Sequence, residues 1–251
     1  PCAVDQRSSR SKGSLMGDLV GVLGGMGPAA TVDFLNKIIS LTESPNDQGH
    51  LPVVAMIDPR IPDRSAAIRG EGPSPEPKLV SLIKKLEGAG AGVIVIPCNT
   101  SHYWYDAMSA ATSVPILSMI QATIESIQAS VPVGASVGIM ATEGTIGANI
   151  YQKPLIAAGY VPQVLDLERR VKFVEGGIRR VKSSDMPQGL KLLEAGLAEF
   201  IAEGCTHVIL GCTEVSLAFA ETLNRAEITL HDSNLILARK TLRHFGRTPK
   251  Y

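Results

Sequence analysis

One short pattern occurs twice in this chain. Val95-Ile96-Pro97-Cys98-Asn99-Thr100 and Ile209-Leu210-Gly211-Cys212-Thr213-Glu214 each run an apolar, strand-like stretch into a cysteine followed by small polar residues, and the cysteines are 114 residues apart. A second pair, Gly21-Val22-Leu23 and Gly138-Ile139-Met140, recurs at an offset of 117. Two matches at nearly one spacing imply two pseudo-equivalent units facing each other. A length of 251 residues accommodates one large domain or two small ones, because single cores stop growing near roughly 250 residues.

The hydrophobic pattern gives those units a class. Leu19–Leu23 reads as a strand that breaks into Gly24-Gly25-Met26-Gly27-Pro28. Ala29–Leu41 has helical spacing, with Val32, Leu35, Ile38 and Ile39 on a shared face. Pro52–Ile57 and Gly92–Ile96 read as strands, separated by a Pro- and Gly-rich loop over Asp58–Pro77 and a helix over Leu79–Ala89. In the second half, Val137–Met140, Tyr160–Leu167, His207–Leu210 and Glu227–His231 read as extended. Thr145–Ala158, Gly189–Glu203, Val215–Leu223 and Leu235–Phe245 read as helices. Strands alternating with helices predict an α/β fold: two pseudo-symmetric α/β domains with largely parallel sheets and an active site in the cleft between them. The expected division puts residues 19–118 with 227–248 in the first domain and 119–226 in the second. Pro1–Asp18, rich in Ser and basic residues, reads as an expendable or disordered leader.

Charge and composition exclude several functions. Lys and Arg number 24, Asp and Glu also 24, so no global field draws nucleic acid or an acidic membrane. The basic run Arg169, Arg170, Lys172, Arg179 and Arg180 has acidic neighbours and no interleaved aromatics, the pattern of a solvated helix face or an interface. No stretch of 18 apolar residues predicts a membrane span. The cysteines Cys2, Cys98, Cys205 and Cys212 lack the close pairing of a zinc ribbon. A reducing, cytoplasmic setting fits best, with the N-terminal segment leaving organelle targeting open.

The chemistry is expected where the two cysteine turns meet. In open α/β sheets, ligands bind beyond the C-terminal ends of strands, and Cys98 and Cys212 each occupy that place in their half. One thiolate can remove a proton from a carbon while the other thiol delivers one to the opposite face, which inverts a stereocentre. A free thiol has a pKa of about 8.5, close enough to be tuned into use. Asn99 and Thr100 are candidate donors to the developing charge. The plainer alternative, that each cysteine is a small buried residue, fits Cys205 better, since it lies at a helix-to-strand turn. Gly24–Gly27 lacks both the G-x-G-x-x-G and the Lys-Ser/Thr of nucleotide loops, so carboxylate recognition is the favoured reading. Arg60 and Arg64 sit on a loop where a solvated arginine is the default reading, but its prolines make a stiff presentation suited to forked carboxylate recognition. His102 either tunes the first cysteine or packs at a helix start, and His207 reads as structural.

Taken together, Gly24-Gly25-Met26-Gly27-Pro28-Ala29-Ala30-Thr31, Ile61-Pro62-Asp63-Arg64, Pro97-Cys98-Asn99-Thr100-Ser101-His102 and Gly211-Cys212-Thr213-Glu214 resemble the aspartate/glutamate racemase superfamily, on its aspartate racemase side. The resemblance implies racemisation of a small acidic amino acid without pyridoxal phosphate, metal or nucleotide, often by a homodimer. It implies Cys98 and Cys212 as acid and base, with Arg64 and Lys182 on the side-chain carboxylate. It further implies Asn99, Thr100, Thr142 and Thr213 around the α-amino and α-carboxylate groups, and Met26 and Gly27 shaping that end of the pocket. Glutamate racemases usually carry His where Glu214 stands here, and aromatics often precede the lysine where this chain has Ile178-Arg179-Arg180. A glutamate or broad-specificity racemase, a dicarboxylate-binding protein and a nucleotide-linked enzyme are the competing readings.

Overall fold

The computed structural model describes residues 17–223 and 226–250, so most of the expected leader, with Cys2, lies outside the described residues. The two central strands are short and largely apolar and buried, and each is built around a glycine that lets a neighbour approach. In β1 (Val20–Gly24), a Cβ on Gly21 would stand 2.8 Å from the Ala91 Cβ. In β5 (Ser136–Met140), one on Gly138 would stand 2.8 Å from Val208 and 3.1 Å from the Cys205 Sγ. Cys205, whose thiol donates to the His207 carbonyl, is therefore a core residue of the second half.

Around β1 run β2 (Val53–Ile57), β3 (Val93–Val95) and β4 (Ile116–Leu117), all parallel, in the order β2-β1-β3-β4. Around β5 run β6 (Val161–Gln163), β7 (His207–Leu210) and β8 (Thr229–Asp232), also parallel, in the order β6-β5-β7-β8. The second sheet repeats the first strand for strand. The fold is two parallel α/β units, and β3 and β7, which lead to the two cysteines, are equivalent strands. Parallel sheets need cover on both faces, and separate apolar clusters lie on the two sides of each sheet.

In the first half the cover comes from α1 (Pro28–Leu41), α2 (Arg64–Ile68), α3 (Glu76–Gly88) and a 3₁₀ turn at Thr100–Trp104 running into α4 (Tyr105–Ala110), whereas α5 (Met119–Ser130) lays Ile120, Ile124 and Ile127 in the cluster with Val137, Ile139 and Ile209 of the second sheet. In the second half α6 (Glu143–Gly147), α7 (Gln152–Ala157), α8 (Leu167–Arg169), a π turn at Arg170–Glu175, α9 (Gly176–Lys182), α10 (Met186–Ala202) and α11 (Thr213–Ala218) provide the cover. The last helix, α12 (Ser233–His244), returns to the first half and packs on α1 and α5.

Several boundaries differ from the sequence expectation. The helix expected over Thr145–Ala158 is two, α6 and α7, broken where Asn149 takes a left-handed φ of 56°, a conformation that Asn tolerates better than most residues. The extended stretch expected over Tyr160–Leu167 is a strand only to Gln163, because Asp166 accepts from the Arg169 N–H and starts α8 at Leu167. Helix α1 buries Ala30, Thr31, Phe34, Ile38 and Leu41, whereas Val32 and Ile39 are exposed. Strand β8, grouped with the first domain from the sequence, hydrogen-bonds to β7 in the second sheet. Only α12 of that C-terminal stretch joins the first half.

Candidate active site

Both cysteines are buried and line one cavity, Cys98 beyond the end of β3 and Cys212 at the start of α11. Met26, Asn99, Thr100, Thr142, Lys182 and Thr213 line it too. The space to the centre of a water-sized sphere is about 10 Å³, room for about one water. The walls come from both halves and touch directly. The Thr100 Oγ1 is 3.0 Å from that of Thr142 and 2.8 Å from that of Thr145, a buried cluster of three hydroxyls spanning the cleft. At the mouth, α2 lies so close to α6 that a Cβ on Gly144 would stand 2.5 Å from the Ser65 Oγ and 2.7 Å from its Cα.

The two loop arginines have separate uses. Arg60 is exposed and forks onto Asp58, Nε to Oδ1 at 2.9 Å and Nη2 to Oδ2 at 3.0 Å. With Lys78 also on Asp58, these bonds hold that carboxyl well below the usual range. Arg64 lines the cavity. Its Nη1 donates to the Ile61 and Pro62 carbonyls and its Nη2 to the Met26 carbonyl, while its Nε is buried with no partner among the described residues. A guanidinium steadied by carbonyls with one donor uncommitted is suited to accept a carboxylate.

The glycine loop serves the protein itself. Gly25 has a φ of 97° and lies against the Asp58 backbone, where a Cβ would come within 2.5 Å. Its N–H donates to the Thr31 Oγ1, which in turn donates to the Gly27 carbonyl. The Gly25 amide expected to face a carboxylate is thus spent on starting α1. Gly27 does not line the cavity: it stands behind Glu214, with its Cβ position 3.1 Å from the Glu214 Oε1.

Asn99 is held from two sides. It lines the cavity, but its amide is engaged at both ends, accepting from the Tyr151 hydroxyl at 2.5 Å and donating to the Ser233 Oγ at 3.1 Å. Ser233 passes its own proton to the Leu210 carbonyl. These bonds tie the turn after β3 to α7's leading residue and to α12, and they use one of the two N–H groups of the Asn99 amide. His102 is fixed as a packing residue: its Nδ1 meets the Cys98 carbonyl at 2.9 Å and its Nε2 accepts from the Met119 N–H at 3.0 Å. Burial pulls its pKa down to about 4, so the ring is neutral at pH 7.

The sulfurs differ in their surroundings. The Cys212 thiol donates to the Glu214 Oε2 at 3.0 Å, and the Thr213 hydroxyl leans on the same oxygen at 3.4 Å. Burial, then the Glu214 charge, push the Cys212 pKa well above the usual thiol value, with Lys182 opposing. Lys182 is exposed as a residue, yet its ammonium senses the cavity. Desolvation works against its charge, but Glu214 and the two sulfurs outweigh that and the repulsion of Arg64, leaving its pKa raised. No cluster of three or more His, Cys, Asp or Glu side chains able to hold a metal occurs among the described residues.

The cavity thus gathers two sulfurs from equivalent strand ends with the two cations Arg64 and Lys182. The sequence matches the Asp/Glu/Hydantoin racemase family over residues 23–241, a span that takes in both cysteine turns. The chain belongs to that family. This racemase-family chain is 28% identical over 230 residues to the broad specificity amino-acid racemase RacX of Bacillus subtilis (strain 168), covering 89% of this chain and 96% of that protein. It is similar in structure to the Picrophilus torridus aspartate racemase, with a TM-score of 0.83, 29% identity, and 93% of this chain and 96% of that chain covered. It shares its fold with the glutamate racemase of Campylobacter jejuni subsp. jejuni (TM-score 0.63, 19% identity, 92% and 88% covered).

Sequence reasoning passed over four residues at this site. Glu214, Asp63 and Ser65 line the cavity, and Thr145 completes the hydroxyl cluster. The first three adjoin residues already singled out: Glu214 follows Thr213, and Asp63 and Ser65 flank Arg64. Thr145 could have been found from Thr142, three residues earlier, since a Thr at a helix N-cap reaches the N–H three residues on.

Proposed function

We propose that this chain is a cofactor-independent amino-acid racemase that interconverts L- and D-aspartate, with Cys98 and Cys212 exchanging protons with opposite faces of Cα. The observation that carries this reading is the placement of the two buried thiols, from equivalent strand ends, in one cavity. In one direction the Cys98 thiolate takes the Cα proton and the Cys212 thiol returns one on the other face; in the reverse direction the roles exchange. The pair provides both base and acid. Arg64, with its uncommitted Nε, takes the side-chain carboxylate, helped by Lys182. The Thr100, Thr142 and Thr213 hydroxyls lie where the α-substituents would sit. Each hydroxyl has one proton and two acceptor sites, so a substrate group can enter the cluster by re-aiming protons already there.

Aspartate leads because of the likeness to the P. torridus enzyme. The similarity to RacX along nearly its whole length favours a broader range as the second reading, and one methylene of substrate is worth only about 1–3 kcal/mol of discrimination. The test is incubation with L- and with D-aspartate in D₂O, read by chiral separation and proton NMR, followed by glutamate and neutral amino acids. Inversion with deuterium entering Cα is the expected result. A protein that binds aspartate but neither inverts nor exchanges any of the panel is a binding protein, and the racemase reading is then wrong.

A further inference from the structure

We propose that Glu214 is a positioning residue of the racemisation step: its carboxylate takes the proton from the Cys212 thiol, so that the second sulfur works as a cysteine–carboxylate pair while the first works alone. This rests on the racemase reading above and deepens it. The geometry is specific. Glu214 is 4% exposed and Cys212 6%, and the thiol points at one carboxylate oxygen, 3.0 Å away. Thr213 steadies that oxygen, and Gly27 leaves the other just enough room. A carboxylate so deeply buried needs a reason. Lys182 of α9 supplies an opposite charge, and Arg64 at the start of α2, Asp63 beside it and Cys98 are the remaining titratable groups on the cavity wall. Among the described residues, no hydrogen bond joins the Cys98 Sγ to a carboxylate, so the two faces of the substrate meet unlike bases.

The protons balance. For Cys212 to act as base, its S–H bond breaks and an O–H bond forms on Glu214. The thiolate then takes the Cα proton, the C–H pair stays on carbon beside the α-carboxylate, and the Cys98 thiol gives its proton to the opposite face. The reverse direction starts with Cys98 as thiolate and with protons on both Cys212 and Glu214. It ends with the Cys212 thiolate held by the Glu214 O–H. Two protons shared among three groups serve both directions.

Replacing the acid separates this role from packing. Because the equilibrium constant of racemisation is one, kcat/KM must fall equally in both directions, so the decisive readout is a titration beside the rate. In a Cys2→Ser, Cys98→Ser, Cys205→Ser background, the pH dependence of alkylation by iodoacetamide titrates Cys212 alone. Glu214→Gln, of nearly the same shape, is expected to bring the Cys212 thiolate out at least about one pH unit lower, because a neighbouring negative charge is gone. In the otherwise unaltered chain, Glu214→Gln is expected to slow racemisation of aspartate about 100-fold, the lower end for a lost general base. Glu214→Asp keeps a carboxylate and is expected to titrate nearer the parent and racemise faster than the Gln variant. An unmoved titration overturns the proposal, and so does a moved titration with undiminished kcat/KM. If the unaltered chain racemises nothing, the racemase reading fails on that result, and the titration still decides whether Glu214 and Cys212 act as a pair.

Discussion

Tyr151→Phe tests the tie that fixes the turn behind the first cysteine. The Tyr151 side chain is completely buried, and its hydroxyl donates to the Asn99 Oδ1 from 52 residues away. Burial raises the phenol's pKa, so it is a hydrogen-bond donor at any working pH. Removing the oxygen leaves a void no larger than one atom, but it also leaves the Asn99 Oδ1, in a residue 2% exposed, without its partner. An orphaned buried acceptor costs about 1–3 kcal/mol. For a chain of this size, that lowers the melting temperature by about 2–4 °C per kcal/mol. Urea unfolding should show the midpoint moving with an unchanged slope. Tyr160→Phe is the matched control, since that hydroxyl donates to the Val131 carbonyl, remote from either cysteine. Both variants should lose comparable stability, but only Tyr151→Phe should lose racemase activity, because Asn99 directly follows Cys98. If Tyr151→Phe is within about 0.3 kcal/mol of the parent and fully active, the tie neither holds the halves nor sets the turn.

Cys98→Ser and Cys212→Ser should each abolish inversion as read by chiral separation, and full inversion by either would remove the two-base assignment. Arg64→Ala should lower kcat/KM for aspartate by about 10- to 100-fold, the worth of a charged hydrogen bond, and spare alanine or serine. Arg60→Ala, which loses only an exposed pairing with Asp58, should change neither; equal losses at both arginines would contradict the separate uses seen here. Stability should fall as the pH drops from about 6.5 towards 4. His102 has a folded pKa of about 4 against an ordinary 6.5, so the unfolded chain binds the extra proton across that window. His231, also at about 4 through burial and then the charge of His207, adds in the same direction. The His102 share is about 3 kcal/mol once both values are passed. His102→Gln should flatten the decline measured by denaturant titration at each pH, and an unchanged slope would show that the ring is not buried neutral.

The fold was legible because the buried strands of a parallel sheet read as apolar runs that end in abrupt polar turns, as Val93–Val95 and Val208, Ile209 and Leu210 do. The repeat at Cys98 and Cys212 therefore exposed the pseudo-symmetry directly. The stretch from Thr100 to Leu117 was not read, because a 3₁₀ turn, a short helix and a two-residue strand carry too little periodicity. The break at Asn149 was hidden for a different reason: its neighbours are apolar at helical spacing, and only the left-handed turn interrupts them. Site residues were legible where they stood in a motif. The roles of Asn99 and Gly25 were not, since their hydrogen-bond partners, Tyr151, Ser233 and Thr31, are set by tertiary contact and by local capping.

Helix α12 makes the order of synthesis matter. Leu237, Ala238 and Leu242 complete the cluster formed by Val20, Val22, Phe34 and Ile38, and the Asn234 amide reaches Asp33 across 201 residues. Everything else in the first sheet is in place by Leu117, yet one apolar side of it stays open until the chain's last helix emerges. Domains generally fold as units in the order they are made; here the first must wait for the second. A nascent chain stalled before Ser233 would carry a finished strand order and an uncovered flank, the kind of surface that chaperones hold.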